Sequence, residues 1–250
     1  MNKVWLLVLL VVLLLIASCE ILDPKYPSLW EPVLNPTKDF YLLIGHRLDA
    51  KSRQESMYMS LYCKVPCDSL KLNETRFYPE TSYFNDSTGY YHYEFAIPDG
   101  AWSVLAENNL SYKISFPAKT VVSTIQVPDL YTAQFPVFDP AQDYQLNWSI
   151  ATDPDYQRVS LSLLNGAVPN VYESADFSGS MRKYRWKKSE WNHLSSPGYS
   201  GTTLKAYNYQ KANGGLVWVL RSLENGHSKQ SGLSPRIPFQ ELERLLQREP

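Results

Sequence analysis

The sequence predicts an all-β protein made of two tandem β-sandwich domains and a short C-terminal helix. Short segments from Phe40 onwards alternate apolar and polar residues, which is the pattern of half-buried strands. Turn dipeptides such as Asp99-Gly100 and Asn165-Gly166 separate these segments. Aromatic residues make up 14% of the chain, and its 17 prolines outnumber its 11 glycines, which favours strands and structured turns.

The composition is that of a folded globular protein. The 250 residues are 44% hydrophobic and 20% charged, with a formal net charge of −1. A disordered chain would contain fewer apolar residues and carry more net charge. The near-zero net charge provides no field to recruit nucleic acid, and the negative mean hydropathy excludes a polytopic membrane protein.

The N-terminus has the features of an export signal. Lys3 precedes an apolar run of 13 residues, Val4 to Ile16, which is too short for a span of about 20 residues but typical of a signal peptide. The run ends in Ile16-Ala17-Ser18-Cys19, which resembles the lipobox of bacterial lipoproteins. The alternative is an ordinary cleaved signal peptide that ends near a cysteine.

The lipoprotein resemblance implies how the chain is processed and where it resides. Residues 1–18 would be removed, and Cys19 would become a lipid-modified N-terminus whose acyl chains, such as palmitate, anchor the protein. The next residue is Glu20 rather than Asp, which in such lipoproteins mildly favours the outer membrane. We therefore expect a lipid-anchored protein of the cell envelope, held on the periplasmic or the surface face.

A proline-rich tether is predicted to follow Cys19. Residues 19–37 contain four spaced prolines and no apolar period, which favours an extended, stiff segment. The alternative is that Leu29, Trp30 and Val33 pack against the first domain.

Two cysteines remain beyond this tether, in the segment Cys63-Lys64-Val65-Pro66-Cys67. An oxidising compartment would permit a disulfide, but in a straight strand the Cα atoms of Cys63 and Cys67 would lie about 13 Å apart. A disulfide needs roughly 4.4–6.8 Å, so the pair is a candidate only if the chain bends at Pro66. The spacing is not that of a zinc site.

The first sandwich domain is predicted over residues 38–128. The segments with strand alternation in this range are Phe40–Ile44, Met57–Tyr62, Tyr91–Ile97, Leu110–Phe116 and Thr120–Val127. Several short strands at this spacing indicate a sandwich rather than an alternating α/β fold. Residues 129–140, with Pro136 and Pro140, are predicted to be the linker.

The second domain, predicted over 141–250, resembles a fibronectin type III domain of the immunoglobulin-like class. Leu146-x-Trp148 is similar to the second strand of that family, Tyr156 to the start of the third, and Trp218–Leu223 to the penultimate strand. The resemblance implies that Trp148 lies in the core. The stretch between Asn165 and Gly201 is longer than the family requires, which leaves its strand order open.

The last residues have a different pattern. Phe239, Leu242, Leu245 and Leu246 fall on one helical face after Pro238, which predicts a short amphipathic helix. The helix would either pack on the second domain or dock into a partner.

The sequence contains no motif that indicates catalysis, a metal or a cofactor. The segment Gly198-Tyr199-Ser200-Gly201 lacks one residue of the hydrolase nucleophile motif. The four histidines form no metal-ligand pair. We expect a non-enzymatic protein without cofactors.

Two surfaces are candidates for binding a partner. Arg182, Arg185, Trp186 and Lys187 belong to a run that holds five cations in seven residues. Nucleic acid is not expected as a partner of an exported protein, so the run is either an edge strand protected by charge or a contact for envelope anions.

The second candidate surface is aromatic and contains Tyr83, Phe84, Tyr90 and Tyr91. Such rings pack in a core, stack on sugars or bind proteins. The sequence therefore favours an interaction, assembly or adhesion module that binds another envelope protein. The alternative is a glycan-binding lipoprotein that uses these rings.

Overall fold

The structure, a computed structural model, describes residues 38–86, 89–166, 168–174 and 177–226. The predicted signal peptide, Cys19, the tether and the C-terminal helix lie outside these residues. All described residues belong to one compact unit, Asn35–Ile237. Apart from two short 3-10 helices, Ala101–Leu105 and Lys188–Glu190, their regular structure consists of strands. The prediction of an all-β fold is therefore confirmed.

The described strands form three sheets. In chain order they are β1 (Phe40–Asp49), β2 (Glu55–Cys63), β3 (Ser69–Leu72), β4 (Thr75–Phe77), β5 (Pro79–Asn85), β6 (Tyr90–Phe95), β7 (Asn109–Ser115), β8 (Thr120–Gln126), β9 (Thr132–Gln134), β10 (Tyr144–Ser149), β11 (Tyr156–Asn165), β12 (Val168–Glu173), β13 (Phe177–Ser178), β14 (Lys183–Trp186), β15 (Pro197–Ala212) and β16 (Gly215–Gly226). The large sheet has the order β12-β11-β15-β16-β1-β2-β6-β5, with β13 also paired to β11. The four-stranded sheet has the order β4-β3-β7-β8, and the three-stranded sheet β14-β10-β9.

The residue patterns of the strands follow from their positions. β1 and β16 lie in the middle of the large sheet, and their continuous apolar runs, Phe40–Ile44 and Leu216–Leu220, are buried on both faces. Continuous runs are typical of such strands. β10 has one buried face, and its side chains alternate strictly between buried and exposed, as the period of two requires.

Two hydrophobic cores lie on the same face of the large sheet. The first core joins that sheet to the four-stranded sheet and includes Val217 and Val219 of β16. The second core contains residues of the large and three-stranded sheets and includes Leu223 of β16. These three residues are separated by even numbers, so their side chains point to one face. The two smaller sheets therefore cover neighbouring parts of one sheet face.

The division into two tandem sandwiches is not confirmed. β1, from the first predicted domain, pairs in parallel with β16, from the second, over ten residue pairs that begin with Phe40 beside Gly215. Alternation identifies strands and their buried faces, but it does not specify which strands pair. The predicted linker also contains β9, whose neighbour Tyr131 is part of the second core.

Candidate functional site

The aromatic surface lies at one end of the large sheet, on β5. Tyr83 and Phe84 are 50% and 47% exposed, and Tyr78, just before the strand, is 61% exposed. Tyr83 and Phe84 are adjacent in the strand, so their rings lie on opposite faces of the sheet. The edge of one ring meets the face of the other between Tyr83 and His92, with 5.1 Å between the ring centroids. The centroids of the Phe84 and Tyr91 rings lie 4.8 Å apart. The end strand therefore carries an aromatic ring on each face.

Two other predicted members of this surface are less accessible. Tyr90 is only 1% exposed, and its hydroxyl donates a hydrogen bond of 2.5 Å to the carbonyl oxygen of Lys38. The prediction that Tyr90 belongs to an exposed surface is therefore wrong. The physical reason is that β6 is an interior strand between β2 and β5, where the Tyr90 ring packs against Tyr41. Tyr91 is half-buried against the first core.

The basic run forms β14 and its flanks, at the edge of the three-stranded sheet. β14 pairs only with β10 among the described strands. Lys183, Arg185 and Lys187 are exposed, whereas Trp186 is 0% exposed. The Trp186 indole donates a hydrogen bond of 3.2 Å to the carbonyl oxygen of Tyr172. Trp186 is therefore a residue of the second core, and its assignment to the partner surface is wrong.

Carboxylates of the same chain neutralise part of the basic run. Arg182 forms an ion pair with Asp153. The Nε atom of Arg185 donates to the Asp143 carboxylate at 2.7 Å. The backbone N–H of Lys188 donates to the same carboxylate at 2.7 Å, and these bonds together hold the pKa of Asp143 below its ordinary value. Such pairing favours a charge-protected edge strand over a site for envelope anions.

The structure holds Cys63 and Cys67 as free, buried thiols. Both belong to the first core, and the backbone N–H of Cys67 donates to the Tyr93 hydroxyl at 3.0 Å. Burial raises the pKa of both thiols. The sequence left open whether the chain bends between the two cysteines. In the structure β2 ends at Cys63, and the next two residues form a bend.

A groove of about 370 Å³ lies beside β2. Its lining includes Glu55, Glu80, Glu94, Asp99 and Trp102. Within the described ranges, no group of three or more His, Cys, Asp or Glu side chains is arranged to hold a metal ion. In the same part of the chain, no helix is long and apolar enough to cross a bilayer.

Sequence analysis missed a buried hydrogen-bond centre at Gln157. The side-chain oxygen of Gln157 accepts hydrogen bonds of 2.9 Å from the Tyr131 hydroxyl and the Trp148 indole. Its amide nitrogen donates to the carbonyl oxygens of Gly179 at 2.7 Å and Met181 at 3.0 Å. The sequence pattern could have revealed this residue, because Gln157 lies on the same face of β11 as the core residues Val159, Leu161 and Leu163.

A second missed group lies between the two cores. His46 and Arg221 are register partners on β1 and β16, and both are buried. The Nε2 atom of His46 lies 2.8 Å from the Glu55 carboxylate, and the Arg221 guanidinium donates to the carbonyl oxygen of Leu105. Only the pairing of two strands that are distant in sequence brings these charges together, so no local pattern could reveal them.

Comparison with known proteins assigns no family. No protein-family model matches the chain, and a search of curated proteins returns no match. The geometry of the exposed surfaces is therefore the basis for a functional proposal.

Proposed function

We propose that this protein is a non-enzymatic, lipid-anchored component of the bacterial cell envelope that binds a protein partner along the edge of β5. The observation that carries the proposal is the pair of exposed rings on this end strand, Tyr83 and Phe84. Aromatic side chains are enriched among the residues that contribute most to protein binding. No catalytic step is part of this function.

The position of the two rings favours an extended partner segment. A segment that adds to the end of a sheet binds through main-chain hydrogen bonds, and its alternate side chains meet the two sheet faces. Tyr83 and Phe84 lie on those two faces. An added strand with apolar residues on both faces would contact one ring on each side.

The contrast between the two sheet edges supports this choice. Exposed edge strands are usually protected against association by charge. β14 has this protection in Lys183 and Arg185. β5 contains one charged residue, Glu80, and none from Ser82 to Asn85, where the two rings lie. The β5 edge is therefore the better candidate for a functional contact.

The anchor at Cys19 is proposed from the lipobox resemblance. Acyl chains at this position would hold the folded part near a membrane, at the end of the proline-rich tether. In the full-length protein, Cys19→Ser should move the chain from the membrane to the soluble fraction and abolish labelling by palmitate. Unchanged fractionation and labelling would contradict the anchor but would leave the β5 contact untouched.

The partner surface can be tested in the native envelope. The full-length tagged protein would be crosslinked, solubilised and captured, and stoichiometric partners identified by mass spectrometry. The double variant Tyr83→Ala/Phe84→Ala should lose the partner. Tyr209→Ala is the matched control, since Tyr209 is 36% exposed but lies on the interior strand β15. Equal capture by both variants would contradict the β5 surface.

A glycan ligand is the second candidate, favoured by one specific observation. Phe84 and Tyr91 form a ring pair, and Tyr91 continues in a stack with Tyr93, with 6.3 Å between ring centroids. Sugar rings stack on such aromatic faces. Binding of cell-wall glycan fragments that is lost in Phe84→Ala, without any captured protein, would favour this candidate. Tyr90→Ala is unsuitable for this test, because Tyr90 is buried.

A further inference from the structure

The segment between Cys63 and Cys67 connects the large sheet to the four-stranded sheet. It begins where β2 ends and leads into β3, which starts at Ser69. The backbone N–H of Lys64 donates to the carbonyl oxygen of Asp39 at 2.9 Å, and that of Asp68 donates to the carbonyl oxygen of Ser115 at 2.9 Å. Both ends of the short connection are thus held by backbone hydrogen bonds, one beside each sheet.

Both cysteines are buried in the first core. Cys63 is completely buried and Cys67 nearly so. The pKa of the Cys63 thiol is raised by burial and, secondarily, by Cys67. The pKa of Tyr93 is raised by burial and also by both thiols. The two cysteines thus belong to one buried cluster that also contains Tyr93, and the Cys67 backbone N–H donates to the Tyr93 hydroxyl at 3.0 Å.

The chain between the two cysteines is bent rather than extended. A straight strand would separate the two Cα atoms by about 13 Å, beyond the roughly 7 Å limit for a disulfide. The chain instead bends at Lys64 and Val65 and leaves the strand before Cys67. We propose that Cys63 and Cys67 form an intramolecular disulfide that fastens this connection between the two sheets when the protein folds under oxidising conditions.

The reaction is a thiol–disulfide exchange. One thiolate attacks a small-molecule or protein disulfide, and the resulting mixed disulfide is attacked by the second thiolate. The two cysteines together lose two electrons and two protons, and the disulfide that was attacked takes them up and is reduced to two thiols. An oxidising surrounding for the native protein rests on the proposed export, whereas the pairing itself does not, because glutathione disulfide can supply the oxidant in vitro.

The timing of the bridge follows from burial. The thiolate is the reactive form of cysteine, and burial raises the pKa of Cys67 to about 12, which leaves about a thousandfold less thiolate than in an unfolded chain. The bridge should therefore form before the first core closes. A protein folded with reduced thiols should remain reduced when oxidant is added later.

Trypsin offers a direct test because Lys64 lies between the two cysteines. Full-length protein would be refolded with glutathione disulfide, denatured with N-ethylmaleimide and digested without reductant. Cleavage after Arg53, Lys64 and Lys71 yields the peptides 54–64 and 65–71, each with one cysteine. We expect these peptides to appear joined and unalkylated, and to separate on reduction. Cys63→Ser and Cys67→Ser are the controls, and neither should give the joined species.

Three outcomes would overturn the proposal. One is alkylation of both peptides after oxidative refolding, and a second is a bridge from either cysteine to Cys19. The third is a bridge between two chains, which a mixture of isotopically light and heavy protein would reveal. To test the timing, glutathione disulfide would be added after refolding in reductant. Equal yields of the joined peptide from both orders of addition would refute closure of the core as the deciding step.

Discussion

Gln157 organises the interior of the second core. It is completely buried. The oxygen of its side-chain amide accepts hydrogen bonds and the nitrogen donates them. A buried polar group is tolerated when it is fully hydrogen-bonded. Its partners come from the predicted linker, from β10 and from the turn after β13. One side chain thus ties three separate segments to β11.

Gln157→Leu should strongly destabilise the protein. The substitution leaves the Tyr131 hydroxyl and the Trp148 indole N–H buried without their acceptor, which costs about 2–5 kcal/mol of unfolding free energy. Gln145→Leu is the control, because Gln145 is exposed on β10 and should change stability by less than about 0.5 kcal/mol. Chemical denaturation measures both values. Similar small losses in the two variants would contradict the proposed role of the hydrogen-bond centre.

Gly179 has no room for a side chain. A Cβ atom there would lie 1.8 Å from the backbone carbonyl oxygen of Pro154, so the backbone itself would have to move. Gly179→Ala should cost about 1–3 kcal/mol. At Gly198 the nearest atom to an added Cβ is 3.9 Å away, so Gly198→Ala should be tolerated. Equal unfolding midpoints for the two variants would contradict the close approach at Gly179.

Two of the strands that end a sheet, β5 and β14, differ in their exposed side chains. β14 presents cations to solvent and places Trp186 in the core, whereas β5 presents aromatic rings. An edge strand protected by charge was one of the two interpretations of the basic run that the sequence left open. The burial of Trp186 in the second core was not predicted, because it depends on the sheet that β14 joins.

Loss of charge on β14 should promote self-association. Lys183→Val removes an exposed cation from an edge strand, where it opposes pairing with another chain. Lys113→Val is the control, because Lys113 is exposed on β7, which has a neighbouring strand on each side. Sedimentation velocity should show larger species only for Lys183→Val. Identical behaviour of the two variants would mean that the charge on β14 does not protect the edge.

Individual strands were predicted more successfully than their arrangement. Segments such as Leu110–Phe116 and Thr120–Val127 were predicted from local alternation and proved to be strands. Pairing between β1 and β16 was missed, because neither segment carries a local signal for a partner so far along the chain. The exposed rings of the candidate site, Tyr83 and Phe84, were named from the sequence, whereas the burial of Tyr90 depended on contacts with Lys38.

Between the two cores, the buried face of the large sheet carries the polar side chains of His46 and Arg221. His46 faces Glu55 and Arg221 there. Burial, with help from Arg221, lowers the pKa of His46 below its ordinary value despite the hydrogen bond to Glu55. Protonation would place a second N–H on Nδ1, which has no hydrogen-bond partner among the described residues. His46 therefore favours the neutral form in the folded protein.

This preference predicts a loss of stability in mild acid. Below about pH 6.5 the unfolded chain takes up a proton at His46 that the folded chain does not, so stability falls as the pH decreases from 6.5 towards 5. The slope from one such group is at most about 1.4 kcal/mol per pH unit. His46→Gln should flatten the stability profile in this range. Denaturation at several pH values measures it, and parallel profiles for the two proteins would contradict the assignment.

The pairing of β1 with β16 also determines when the protein can complete its fold during synthesis. Gly215, the register partner of Phe40, is synthesised 175 residues after it. Ribosomes add roughly 5–20 residues per second. The other strands of the first core end with β8 at Gln126, so this core lacks Val217 and Val219 for roughly 5–20 seconds after those strands have been synthesised. During that interval the nascent chain stays open, which is the state that a translocation channel requires and the state in which chaperones bind.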